Sequence, residues 1–188
     1  NRTYGTKASE WHGAFVHTYS PEDYQNMKLI GIANGGAGLA IKKSGDIVSV
    51  FKNPKAEVKD AMSILIPEAI AQGGNRLDCF NGYLPGTYAL YGFEPVAKLK
   101  FNREYAPEHW NYERDGEPDI IFMAHDSTNP EQIKANIHKM RQMTEADRKT
   151  YRKEIAQKTK EKLATIPEVS SYEEAEKLQS NFVNKNKI

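Results

Sequence analysis

The chain has 188 residues and a mass of 21.3 kDa, with 26 Lys plus Arg against 25 Asp plus Glu and a net charge of +1. That length suffices for one real core with an appendage, while a mean hydropathy of -0.71 is low for one compact domain and predicts an exposed part. Composition excludes collagenous and low-complexity proteins, and no apolar run approaches the roughly 20 residues of a membrane-spanning helix.

In chain order, the start, Asn1-Arg2-Thr3-Tyr4-Gly5, shows no apolar core of a targeting segment. Residues 15–19 predict a short strand. Ser20, Pro21, Glu22 and Asp23 are an N-cap, a first-turn proline and two acids, predicting a helix to about Ile32. Asn34, Gly35 and Gly36 break it. Residues 38–42 and 47–51 predict a hairpin joined by Lys43-Ser44-Gly45-Asp46. Residues 61–71 predict a buried helix kinked at Pro67 and ended by Gly73-Gly74. A strand over 76–80, a short helix over 85–91 stopped by Gly92, and a strand over 93–101 follow. An aromatic, charged loop over 102–118 leads to a strand over 119–125. This is a mixed α/β (α+β) domain with a central mixed sheet flanked by helices.

The sequence changes character near Ser127. Residues 131–163 hold ten Lys/Arg and five Asp/Glu, so this stretch is net +5. Ile133, Ile137, Met140 and Met143 mark one helix stripe. Thr144, and Ser170 or Ser171, each followed by acids, predict two further helix starts. The expected division is therefore a domain over 1–127 and a charged helical tail over 128–188, packed on one side or not at all.

Cys79 is the one cysteine, which rules out an internal disulfide and favours a reducing, cytoplasmic setting. The five histidines show no metal-ligand spacing, so no metal is expected. Gly35, Gly36 and Gly38 lack the following Lys-Ser/Thr of a phosphate loop and read as a turn. Tyr88, Tyr91 and Phe93 also read as core aromatics, and Asn81 as a turn residue beside Gly82.

The run Asn81-Gly-Tyr-Leu-Pro-Gly-Thr-Tyr88-Ala-Leu-Tyr-Gly92-Phe93 resembles the second half of the acyl-CoA site of the Gcn5-related N-acetyltransferase (GNAT) superfamily. That family has a strand ending in Asn, a short helix, then Tyr four residues before Gly-Phe, and both spacings match. The surrounding elements fit over roughly 12–126. Residues 116–123 are similar to GNAT-like proteins of phages and mobile elements. The resemblance implies an acetyl-CoA (or other acyl-CoA) dependent transferase in which an amine-bearing acceptor attacks the thioester directly. Asn81 would hold the cofactor arm, Tyr88 would protonate the departing thiolate, and a backbone N–H among Val48, Ser49 and Val50 would hold the oxyanion.

One departure stands out. The family's glycine-containing pyrophosphate loop corresponds here to 51–61, which has no glycine. Lys55, Val58 and Asp60 occupy the motif positions, and Lys52, Lys55 and Lys59 are the candidate phosphate ligands. His17, Glu22, Asp23 and His125 are candidate bases. Trp110 and Tyr112 are expected to cover the acceptor, the alternative being a loop pinned by Trp110. The rival function is a catalytically degenerate GNAT-like binding protein whose basic helices contact nucleic acid. The acceptor and the oligomeric state are not legible.

Overall fold

A computed structural model describes residues 16–187. The fold is mixed α+β, with seven helices and two sheets among the described residues. The chain forms two compact units, one containing 16–75 and 102–116, the other 76–101 and 117–187.

The first unit opens with α1, Pro21–Gln25, capped by Ser20, whose Oγ accepts from the Asp23 N–H. The helix is five residues long rather than twelve. Residues 28–31 go into strand β1 (Lys28–Gly31), which pairs antiparallel with β2 (Ala37–Ile41). The ladder outcompetes a helix that would present Lys28 and Leu29 without an apolar stripe. The strand expected at the start is absent over 16–19, and Phe15 lies outside the described residues. The hairpin is present: β2 pairs antiparallel with β3 (Ile47–Lys52). Helix α2, Met62–Ala71, carries buried Leu65, Ile66 and Ala69 and contains Pro67. Its chain leaves through Gly73 at φ 100°, a conformation that favours glycine.

The second unit holds a four-stranded sheet in the order β4-β6-β5-β7, from β4 (Arg76–Phe80), β5 (Phe93–Leu99), β6 (Ile120–His125) and β7 (Glu168–Val169). Pairing is antiparallel except for β5 with β7. The expected single central sheet is thus two sheets, one of them wholly antiparallel. Between β4 and β5 lies α3, Leu84–Ala89. The loop of the first unit between β5 and β6 contains the short helix α4, Tyr112–Asp115.

The C-terminal third differs most from expectation. Its helices are α5 (Pro130–Gln142), α6 (Glu145–Leu163) and α7 (Tyr172–Lys185). Thr144 and Ser171 are the caps of the latter two, accepting from the Asp147 and Glu174 N–H groups. These helices are not a tail beyond Ser127. They belong to the same unit as β4, β5 and β6, α6 packs on α3, and α7 packs on β5 and β6. The core beneath α7 is Ala97, Phe122, Val169 and Ala175, with Leu99, Ile120 and Leu178 around it. Strand β7, too short to register as a pattern, adds an edge to β5. Lys98 donates from Nζ to the Leu163 carbonyl at 3.0 Å, satisfying a helix-end acceptor.

Gln179 of α7 is buried, and its Nε2 donates to the carbonyls of Leu77 (2.8 Å) and Met123 (2.9 Å), which face each other across β4 and β6. Two buried carbonyls depend on one amide. Gln179→Met keeps the volume and removes both donors, so the unfolding free energy is expected to fall by about 1–3 kcal/mol in denaturant titration although the residue becomes more apolar.

Candidate functional site

In the second unit, β4 delivers Asn81 and α3 delivers Tyr88. The Asn81 N–H donates to the Asp119 carbonyl at 2.7 Å, which fixes the end of β4 against the start of β6. The Asn81 side chain is exposed and has no hydrogen-bond partner among the described residues. Tyr88 is 5% exposed, and its ring meets Phe93 edge-on at 6.2 Å. Its hydroxyl makes no hydrogen bond among the described residues. Burial pushes its pKa well above the usual phenol range, and nearby Cys79, Tyr83 and Asp78 push the same way. Tyr88 is therefore a neutral O–H donor at every physiological pH.

Two glycines set the position of α3. A Cβ on Gly86 would lie 3.1 Å from Ala156 Cα of α6. Gly92 has φ 92°, and a Cβ there would press on Ile133 of α5 and lie 3.0 Å from His125 Nε2. The Gly-Phe pair of the motif is thus accounted for by packing: Gly92 permits the close approach and Phe93 is fully buried.

His125 does not have the freedom of a base. It is buried, its Nε2 donates to the Tyr91 carbonyl at 3.0 Å, and its Nδ1 lies 3.0 Å from Ser127 Oγ. A carbonyl only accepts, so Nε2 carries the proton and the neutral Nδ1 accepts from Ser127. Burial lowers its pKa, against the pull of the Tyr91 carbonyl and Asp126. Cys79 is buried, and burial, with Asp78 adding, raises its thiol well above the ordinary value, so it is no thiolate.

In the first unit, Ser49 was expected only to offer a backbone N–H, and the bulge and side-chain network around it are what sequence reasoning missed. It sits in β3 with φ 55°, where a non-glycine residue is strained. Gly38 faces Phe51 and Ala40 faces Val48, so Ser49 and Val50 oppose Leu39 alone, which is a β-bulge. Ser49 Oγ donates to the His17 carbonyl at 2.7 Å. Its proton being used, Tyr24 donates to Ser49 Oγ at 2.8 Å and accepts from the Tyr19 N–H at 3.2 Å. The three bonds strap 17–19 to the bulge. A serine between two valines reads as an ordinary strand residue, so nothing in the sequence marks it.

Val48, Ser49 and Val50 are half-buried within this bulge. Lys52, Lys55 and Lys59 are exposed; the Lys55 N–H donates to Asn53 Oδ1 at 3.0 Å, and none of the three ammonium groups has a partner among the described residues. Val58 packs on Gly36: a Cβ there would come within 2.8 Å of Val58 Cγ2. Asp60 has φ 52°, a glycine-like conformation held by a residue with a side chain. His17 is exposed, with its ring 4.4 Å from that of Tyr19. Burial, then Lys42, lowers its pKa. Glu22 is exposed in the first turn of α1 beside Asp23. A shallow open cleft is lined by Tyr19, Asp23, Asn26, Met27, Lys42, Lys43 and Ser44, and includes neither His17 nor Glu22.

Trp110 is 8% exposed and donates from Nε1 to the Gly116 carbonyl at 2.9 Å, so its indole pins its own loop. Tyr112 is 41% exposed and lies under the Arg103 guanidinium at 5.0 Å. No group of three side chains able to hold a metal occurs among the described residues, and no helix there is long and apolar enough to cross a membrane.

No protein-family model, curated protein or solved structure matches this chain.

The neutral His125 makes a pH-dependent contribution to stability. Its folded pKa lies below the unfolded value of about 6.5, so that contribution is complete above this value and is lost as pH falls through it. The denaturation midpoint is expected to drop between about pH 7 and pH 5, and to drop less in His125→Gln, when both are followed by circular dichroism.

Proposed function

We propose that this chain is an acyl-CoA-dependent N-acyltransferase of the GNAT type, with acetyl-CoA as the first candidate donor and an amine as acceptor. The observation that carries the reading is Tyr88, a buried phenol held neutral and without a protein partner. No buried side-chain nitrogen or oxygen is left unpaired among the described residues, so the Tyr88 Oη, which has no partner there, lies at the edge of its burial, where a ligand can reach it. Asn81, at the end of the preceding strand, offers a free amide seven residues earlier. The succession strand, Asn, short helix, Tyr, Gly-Phe strand and antiparallel partner strand supports the resemblance in the sequence.

Acyl-CoA, when bound, supplies an acyl group activated as a thioester. With acyl-CoA bound, the acceptor nitrogen would bond to the acyl carbon as the C–S bond breaks, Tyr88 would give its Oη proton to the departing sulfur, and the proton lost by the nitrogen would return through solvent to Tyr88. The Asn81 amide binds and orients the amide-rich arm of the donor. In the first unit taken by itself, the Lys52, Lys55 and Lys59 ammonium groups have no ion-pair partner among the described residues, which suits them to an anion there.

Calorimetric titration with acetyl-CoA tests the reading; no heat at millimolar donor would overturn it. Given binding, Tyr88→Phe is expected to leave affinity unchanged and to lower turnover by about 10²-fold or more. Because the hydroxyl has no partner to lose, the same variant should unfold at an equal or slightly higher denaturant concentration.

A further inference from the structure

We infer that one face of α6 is a docking surface for the phosphate backbone of nucleic acid. Lys149, Lys153 and Lys160 are exposed on this helix, and none has an ion pair or hydrogen bond among the described residues. They fall four and seven residues apart, which stacks them on one stripe of a 3.6-residue helix. Arg152, also exposed, follows Lys149 by three. The acids Asp147, Glu154 and Glu161 repeat every seven residues on a different stripe. Only Glu145, in the first turn, approaches the basic stripe. Lys158, four residues after Glu154 and three before Glu161, shares the acidic side, so that side is mixed, whereas the stripe of Lys149, Lys153 and Lys160 carries one sign beyond its first turn.

This arrangement works against the helix itself. Lys149 and Lys153 are like charges at i,i+4, and Lys149 and Arg152 at i,i+3, spacings at which repulsion destabilises a helix. A solvated helix gains more from alternating signs, as Lys134 with Glu131 does at 2.9 Å on α5. A single-sign stripe about 16 Å long, at 1.5 Å per residue, fits an extended polyanion.

The neighbouring side chains choose the polyanion. Ala146, Gln157 and Ala164 are the exposed residues beside the lysines. They offer none of the large apolar groups that anchor an interfacial helix in lipid and none of the aromatic anchors of a protein interface. They also supply no set of side chains for reading bases, so binding should be independent of sequence. The surface stands apart from the transferase reading and does not need it.

The test is fluorescence anisotropy of the full chain with a labelled short duplex of arbitrary sequence. Binding is expected at about 50 mM salt, weakening with a log–log salt slope of about -3. The triple variant K149Q/K153Q/K160Q should lose at least about tenfold in affinity and most of that slope. D147N/E154Q, on the other stripe, should bind as well or better. Circular dichroism checks that helix content is kept. If the triple variant does not fold, K153Q alone should lower the slope by about one. No binding at low salt, lysine variants that bind like the parent, or lysine-dependent binding to phosphatidylserine vesicles without binding to duplex would each overturn the inference.

Discussion

The close approach of α3 to its neighbours is the constraint on which the second unit depends. It exists because Gly86 and Gly92 have no Cβ: the first lets Ala156 of α6 reach the helix, and the second lets Ile133 and His125 close beneath its end. A side chain at either place would push α5 or α6 away. The burial of Tyr88 and Phe93 follows from this packing, and the neutrality of Tyr88 follows from its burial. The C-terminal helices are therefore part of what gives the candidate proton donor its chemistry. They do this with few apolar residues, since α6 buries Thr159 alone. For α6, backbone proximity at glycine and alanine substitutes for a hydrophobic stripe, which is why a search for apolar periodicity does not place it in the domain.

What the sequence made legible follows from which signals are local. Caps are local, so Thr144 and Ser171 mark their helices correctly. The Lys43-Ser44-Gly45-Asp46 turn specifies its own hairpin, and the strand Arg76–Phe80 appears with the expected ends. The failures need knowledge of a partner. Residues 28–31 are ambiguous alone and become a strand because β2 offers a ladder. Strand β7 is two residues long and exists only through its pairing with β5. The site divides in the same way. Asn81 and Tyr88 were visible because their spacing is sequential, whereas Ser49, Tyr24 and Tyr19 form a network across 25 residues of chain.

Backbone strain links the two features of the first unit that sequence could not supply. Ser49 and Asp60 hold positive φ angles that glycine would adopt without cost. At Ser49 the hydroxyl contributes through its bonds to His17 and Tyr24, which glycine could not make. At Asp60 the carbonyl accepts from both the N–H and the Oγ of Ser63 at the start of α2. In both places polar contacts offset a conformation costing of order 1 kcal/mol or more. A loop without glycine can thus make a glycine-like turn, with lysine ammonium groups exposed in 51–61 in place of glycine amides.

That substitution has an electrostatic consequence. Backbone N–H groups at a helix start bind anions by direction and close approach, whereas ammonium groups on flexible stems bind as screened point charges. Lys52, Lys55 and Lys59 are exposed, as are Lys149, Lys153 and Lys160 of α6, and none of the six has an acidic partner among the described residues. The near-zero net charge therefore averages over two unpaired cationic stretches, one in each unit, balanced by acids elsewhere. An anion held by either stretch would meet screened point charges, so its binding would weaken as ionic strength rises. Ionic strength separates the charge-driven contacts of this protein from its directional ones.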